Sequence, residues 1–298
     1  MAELSKIVIP VAGLGTRVLP ASKVIPKEML TVVDKPVIQH VIEEAVDAGF
    51  SDIILVSSPG KQMIETHFKP QPTLEAMLQA KGKNDLLDAV RNTVPTGVTI
   101  STVFQDQPRG LGHAIACATE LVGNEAFAVS LPDVLIHHPD GDHARDLKHI
   151  ANAYHQTHAA QILVEPVPYD ELNKYGIVDC GDTTFTPGES HPVMTMVEKP
   201  DIGTAPSNQS IIGRYILPAR IMEILRSTPP GAGEEIQLTD AINALISEVP
   251  VNAVSMHGKT YDCGSILGYM VANARFAMSH PEIGTDFCKW LDKQDWPS

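Results

Sequence analysis

The chain has 298 residues, 43% hydrophobic and 19% charged, with a formal net charge of −14 at pH 7. At this length a chain buries about three-quarters of the surface that its unfolded form exposes, so it needs no staples. The acidic balance disfavours non-specific binding to nucleic acid or anionic lipid. It leaves room for a small polyanion, because a local basic cluster outweighs distant acids within a screening length of about 8 Å.

The N-terminus, MAELSKIVIP, lacks the apolar core of a signal peptide, and no run reaches transmembrane length, so the expected location is cytoplasmic. The periodicity of the first half predicts strands at Lys6–Val11, Asp52–Ser57, Val98–Gln105 and Ala126–Leu131. Between them fall helical patterns at Pro36–Gly49, at Thr73–Asn92 (broken near Gly82) and at Gly112–Val122. This β-α-β-α order predicts an α/β fold with a Rossmann-like mixed, mostly parallel sheet flanked by helices. The second half reads differently. Strands are expected at Gln161–Val167, Gly176–Cys180, Val193–Val197 and Ile211–Leu217, then helices at Ala219–Ser227 and Leu238–Glu248. A strand near Val251–His257 leads to Tyr261–Ser265, and the end is helical. No repeat or linker interrupts the chain, so residues 1–298 are expected to form one domain whose second half extends the sheet and walls a cleft. Cys117, Cys180, Cys263 and Cys288 have neither CxxC nor zinc-like spacing and are expected to be buried free thiols.

After the first strand comes Gly13-Leu14-Gly15-Thr16-Arg17-Val18. A dinucleotide fingerprint needs a third glycine where Val18 stands, and a Walker loop needs Gly-Lys-Ser/Thr; neither is present. A glycine-rich turn at a strand end still exposes backbone N–H groups where α/β proteins bind ligands. Arg17, Lys23 and Lys27 add charge within the same segment. A tight turn with incidental surface cations and a phosphate-binding loop both fit these residues.

GLGTR, PKEML, VDKP, GLGHA, LPD, YGIVDC, VEKP, PPGAGEEIQLTDAI and YDCG occur in that order. Together they closely resemble the bacterial UTP–glucose-1-phosphate uridylyltransferase family, within the sugar-1-phosphate nucleotidylyltransferase superfamily, and the likeness runs from about Ile7 to Trp290. The resemblance implies a GT-A-like nucleotidyltransferase fold with added sugar-side strands. It divides the chain into a nucleotide-binding half (about 1–135), a sugar-binding half (about 136–270) and C-terminal helices (271–298). The implied reaction joins UTP to glucose 1-phosphate, giving UDP-glucose and pyrophosphate with Mg²⁺, in a homodimer or homotetramer with no nucleic-acid or membrane partner.

The resemblance places Ala12, Gly13, Gly15 and Thr16 at the nucleotide, with Gln105 and Gly110 completing a base pocket. An amide offers a donor and an acceptor, matching a pyrimidine edge; read alone, Gln105 is a solvated strand end. Arg17 and Lys27 become the triphosphate clamp, with Lys23 a lower-ranked candidate and Glu28 either a nucleotide contact or the partner of a cation. Asp133 and Asp262 become Mg²⁺ ligands, since this ion needs only one or two carboxylates beside phosphate oxygens. Each read alone is a turn aspartate. Gly176, Glu198 and Lys199 become the sugar-phosphate site; read alone, Glu198 and Lys199 are an exposed ion-pair turn. His137, His138 and His143 lie near Asp133, but magnesium does not favour imidazole, and their polar surroundings predict solvent exposure. Two rivals remain: a non-catalytic sugar-nucleotide-binding regulator, and an enzyme using another nucleotide or sugar phosphate. The intact GTR, Asp133 and EKP argue against the first.

Overall fold

Ile7, Val8 and Ile9 stand side by side and all three are fully buried. Such a run fits a strand covered on both faces, where alternation disappears. In the computed structural model, which describes residues 4–201 and 203–295, they form the centre of β1 (Lys6–Pro10). Met1–Glu3 of the N-terminal stretch and the last three residues of the expected C-terminal helices lie outside the described residues.

A two-residue pair, β2 (Thr31–Val32) and β3 (Lys35–Pro36), leads into α1 (Val37–Asp47), which buries Val37, Ile38, Val41, Ile42 and Ala45 along one face. After β4 (Asp52–Ser57) come α2 (Gln62–His67), α3 (Pro72–Ala80) and α4 (Asn84–Arg91), the last two parted at Gly82. β5 (Thr99–Phe104) follows, and the expected Gly112–Val122 helix divides into α5 (Leu111–Cys117) and α6 (Thr119–Val122). The half closes with β6 (Phe127–Ser130) and β7 (Val134–His137).

The second half begins with α7 (Arg145–Thr157), which the sequence reading did not anticipate. Strands β8 (Ala160–Pro166), β9 (Gly176–Asp179), β10 (Ser190–Pro192), β11 (Thr195–Glu198) and β12 (Gln209–Leu217) follow. Then come α8 (Arg220–Ser227), α9 (Leu238–Ile246), β13 (Val251–Ser255), β14 (Lys259–Asp262), α10 (Ile266–Ser279) and α11 (Gly284–Leu291).

One sheet runs through both halves in the order β10-β13-β8-β12-β6-β1-β4-β5, with β9 and β11 branching from β12. β1 pairs in parallel with β4 and β6, β4 with β5, and β8 with β13. The long β12 runs antiparallel between β6 and β8. Val8 packs into the apolar layer on one face and Ile7 and Ile9 into the layer on the other. Outside this sheet, β7 pairs antiparallel with β14, so that Val134 stands opposite Asp262.

Two expectations are corrected. His137 and His138 are buried, not solvated. His137 ends β7 and packs edge-on against Tyr261 and Phe276, with Ser279 Oγ 2.8 Å from its Nε2. His138 Nε2 lies 3.2 Å from Asp146 Oδ2. Of the cysteines, all free, only Cys263 is buried; Cys117, Cys180 and Cys288 are half-buried because each sits at an element end or on an outer helix.

Asp146, in the first turn of α7, is itself buried. Its Oδ1 accepts from the His257 N–H (2.8 Å) and contacts the His257 Nδ1 (2.9 Å); its Oδ2 accepts from the Gly258 N–H at 2.9 Å. Burial opposes the charge, but these contacts with His138, His257 and Gly258 outweigh it and hold the carboxyl at about 2, below the usual 3.8. A depressed carboxyl stabilises the fold above its unfolded pKa and loses that contribution as pH falls through the folded one. Asp146→Asn should therefore cost about 2 kcal/mol near neutral pH. The deficit should shrink between pH 4 and 2. Urea unfolding of both proteins across this range checks it.

Candidate active site

The parallel strands β1 and β6 end at the same edge, which brings the loop after β1 beside the Leu131-Pro132-Asp133 turn. Gly15 has φ +67°, and a Cβ there would come within 3.1 Å of the Lys27 Cβ. Its lack of a side chain lets the Lys27 stem cross beneath the loop. The Lys27 Nζ then donates to Asp133 Oδ2 at 2.5 Å. Arg17 reaches the same group from the other side. Its Nη1 donates to Asp262 Oδ2 at 2.9 Å, and its Nη2 lies 3.8 Å from Asp133 Oδ2. Asp262, the last residue of β14, is placed by the β7–β14 pairing, and the Cys263 N–H donates to the Asp133 carbonyl at 2.7 Å. A Cβ on Gly264 would fall 2.5 Å from Arg17 Nη2, 2.6 Å from Asp133 Oδ2 and 2.9 Å from Asp262 Oδ1. Gly264 thus keeps open the space on which two carboxylates converge. Their hard oxygens suit a divalent cation that draws its remaining ligands from phosphates and water.

Across a cleft of about 660 Å³ lie Gly176, Glu198 and Lys199, while Arg17, Asp133 and Asp262 line the near side. β9 and β11 set Gly176 opposite Glu198. A Cβ on Gly176 would stand 3.1 Å from Glu198 Oε2. Lys199 has φ +46°, a left-handed conformation, its side chain is exposed, and its Nζ lies 3.6 Å from Glu198 Oε1. Helix α9 braces this wall with residues one turn apart. The Thr239 hydroxyl donates to Glu198 Oε2 at 2.7 Å, and the Asn243 amide clasps both the N–H and the carbonyl of Met196.

The base-side residues behave differently. Gln105 is buried, its Nε2 donating to the Gly110 carbonyl at 3.1 Å and to His113 Nδ1 at 2.9 Å. A Cβ on Gly110 (φ +96°) would lie 2.8 Å from the Ile236 carbonyl, and the Gly112 N–H donates to that carbonyl at 2.8 Å. The glycines of GLG thus serve close packing of this segment against Glu235-Ile236. Ala12 is buried, whereas Gly13 and Thr16 are exposed on the loop; Lys23 is exposed and makes no ion pair among the described residues.

The Glu28 side chain is fully buried and takes both oxygens to Lys61 Nζ, at 2.9 and 3.1 Å. Its cation partner is not Arg17 or Lys27 but Lys61, which the sequence reading missed. Lys61 also donates to the carbonyls of Val11 and Gly13, each at 2.6 Å, pinning the opening loop from below. Burial pushes the Glu28 carboxyl above its usual value and the Lys61 ammonium below its own, against their mutual attraction. A second cavity of about 440 Å³ lies among α1, β7 and α10. Neither there nor elsewhere among the described residues do three or more His, Cys, Asp or Glu side chains gather as a cluster that could hold a metal ion.

A glycine-rich loop, paired cations and paired acids at the edge of a mixed α/β sheet, facing a second carboxylate–lysine pair, define a nucleotidyl transferase. The nucleotidyl transferase family model matches residues 6–279, and the chain belongs to this family. It is 48% identical over 293 residues to the UTP–glucose-1-phosphate uridylyltransferase of Escherichia coli (strain K12), covering 98% of this chain and 96% of that protein. The solved structure of UTP-bound UGPase from Acinetobacter baumannii superposes with a TM-score of 0.92 at 47% identity, covering 98% of this chain and all of that one. A UDP-glucose pyrophosphorylase complexed with UDP-glucose gives 0.83 at 38% identity, covering 93% of this chain and all of that one.

Lys61→Met should destabilise the fold by roughly 3 kcal/mol, because it strands a buried carboxylate. Adding Glu28→Gln should restore most of that. Denaturant unfolding of the two single variants and the double checks the coupling.

Proposed function

We propose that this chain transfers a uridylyl group from UTP to α-D-glucose 1-phosphate, giving UDP-glucose and pyrophosphate in the cytoplasm. The observation that carries this reading is one continuous cleft with Arg17, Asp133 and Asp262 on one side and Gly176, Glu198 and Lys199 on the other. The first group suits a triphosphate and the second a sugar phosphate. The relatives' names supply the nucleotide and the sugar.

The sugar-phosphate oxygen attacks the α-phosphorus of UTP in line with the departing pyrophosphate. That oxygen is already anionic, so no side chain has to take its proton. The chain's own contribution is positioning and charge. Arg17 and Lys27 hold the phosphates that leave, where negative charge grows during the step. Lys199 neutralises the sugar phosphate, and Glu198 accepts hydrogen bonds from sugar hydroxyls, its carboxylate aimed by Thr239. The backbone of Ala12 and Gly13, with Gly15 and Thr16 beside them, meets the nucleotide, and the segment from Gln105 to Gly110 shapes the base pocket. Family members generally use a divalent metal, and we assign Mg²⁺ to Asp133 and Asp262. When bound, it neutralises phosphate charge and polarises the phosphorus–oxygen bonds.

Pyrophosphate release by the purified chain, assayed with four nucleoside triphosphates and several sugar phosphates, tests the reading. UTP with glucose 1-phosphate should be strongly preferred; turnover with neither would defeat it. Lys199→Ala should impair use of glucose 1-phosphate while leaving calorimetric UTP affinity intact. An unchanged KM and kcat for the sugar phosphate would remove Lys199 from the site. Asp133→Asn should lower kcat by roughly 10²–10³ with little change in thermal unfolding, and near-normal turnover would withdraw the metal assignment.

A further inference from the structure

Arg214 is fully buried at the middle of β12, and among the described residues its one acid partner is Glu44 of α1. Arg214 Nε and Nη2 donate to the two carboxylate oxygens of Glu44 at 2.9 and 2.7 Å. Its remaining hydrogens go to backbone. Nη1 donates to the carbonyls of Leu131 (3.2 Å) and Gly213 (3.4 Å), and Nη2 donates to the carbonyl of Val134 at 2.7 Å. A guanidinium has five N–H donors, and here each finds an acceptor.

Leu131 and Val134 bracket Pro132-Asp133. The guanidinium therefore grips the turn on both sides of Asp133, while the Cys263 N–H holds the carbonyl of Asp133 itself. The backbone is shaped for this grip. The β12–β8 register shifts between Ile211 and Tyr215, and Gly213 has φ +80°. A Cβ on Gly213 would stand 2.5 Å from Leu131 Cγ. Bulges commonly re-aim a side chain beside an active site. This one carries the Arg214 side chain beneath the turn.

We propose that Arg214, locked by Glu44, is a positioning residue for Asp133. By fixing the carbonyls before and after Asp133, it sets where the carboxylate meets its cation in the cleft. Burying an ion pair gives little net stability compared with an apolar pair of the same shape. The return for burying this one is a turn held by groups that no apolar side chain supplies. The proposal rests on the reading of Asp133 as a cation ligand.

Two variants of the full chain test it. Glu44→Leu with Arg214→Met replaces the pair by apolar groups and leaves no unpaired charge. Arg214→Lys keeps the charge but has three donors in place of a planar fork of five. The readouts are thermal unfolding, kcat and KM, and Mn²⁺ affinity of the complex with UDP-glucose, followed by electron paramagnetic resonance. Groups behind a metal ligand typically contribute about 10–100-fold in metal affinity or activity. Both variants should therefore remain folded, bind Mn²⁺ more weakly by a factor in that range, and lose kcat with KM for UTP little changed. A folded variant with wild-type Mn²⁺ affinity and kcat would show that the pair serves stability alone and overturn the proposal. So would a wild-type complex that binds no Mn²⁺. If the double variant does not fold, Arg214→Lys decides by the same readouts. A wild-type chain that binds Mn²⁺ but turns over no UTP would refute the uridylyl-transfer reading instead, and the Mn²⁺ comparison would still judge this one.

Discussion

The contact on which the cleft depends is the one between Lys27 and Asp133, 2.5 Å long and joining the two loops that leave neighbouring parallel strands. Each partner is held from behind. The Lys27 stem lies under Gly15, in a segment whose next residue is tied by Lys61 to the carbonyls of Val11 and Gly13. Asp133 sits in a turn fastened at Leu131 and Val134 by Arg214 and at its own carbonyl by Cys263. Both supports use buried ion pairs, Lys61–Glu28 and Arg214–Glu44, whose cations spend their spare donors on loop carbonyls. The loops at this strand edge have no ladder of their own, so side-chain donors supply what the sheet cannot.

This arrangement explains which parts of the molecule were legible in its sequence. The strands of the first half announce themselves by apolar runs, and α1 by its spacing and flanking Pro36 and Gly49, because these signals are local. Helix α7 carries the same kind of signal, with Leu147, Ile150 and Ala151 buried at helical spacing. Polar residues and two histidines, His149 and His155, surround those positions and mask that signal. β7 is only four residues long and ends in a histidine, so it reads as loop; its burial comes from β14 and α10, far along the chain.

The site divides in the same way. The acids, cations and glycines of the cleft lie in contiguous motifs, and their resemblance to a family places them together. The groups that aim them do not. Lys61 lies 33 positions from Glu28 and Arg214 lies 170 from Glu44. Nothing in the composition around either lysine or arginine distinguishes it from a surface cation. Thr239 and Asn243, spaced one helical turn apart beside GAGEEIQ, were the one such signal within reach of a periodicity argument, since they share a helix face.

The charged groups of the cleft also differ in how tightly the fold holds them. The Lys27 and Asp133 side chains are each 16% exposed, whereas Arg17 and Lys199 are each 61% exposed. Ordering a long cationic side chain costs up to about 2 kcal/mol of rotamer entropy. For Lys27 the fold has already met most of that cost, so its placement relative to Asp133 is a property of the protein. In the proposed reaction Arg17 and Lys199 would meet it when a ligand arrives, which lowers affinity but lets the two cations follow groups that move. Those groups would be the departing pyrophosphate and the approaching sugar phosphate, while the α-phosphorus between them has to stay fixed. The rigid pair stands at the strand edge and the adaptable cations reach in from either side of it. That distribution of order matches the demands of a transfer in which only the outer groups travel.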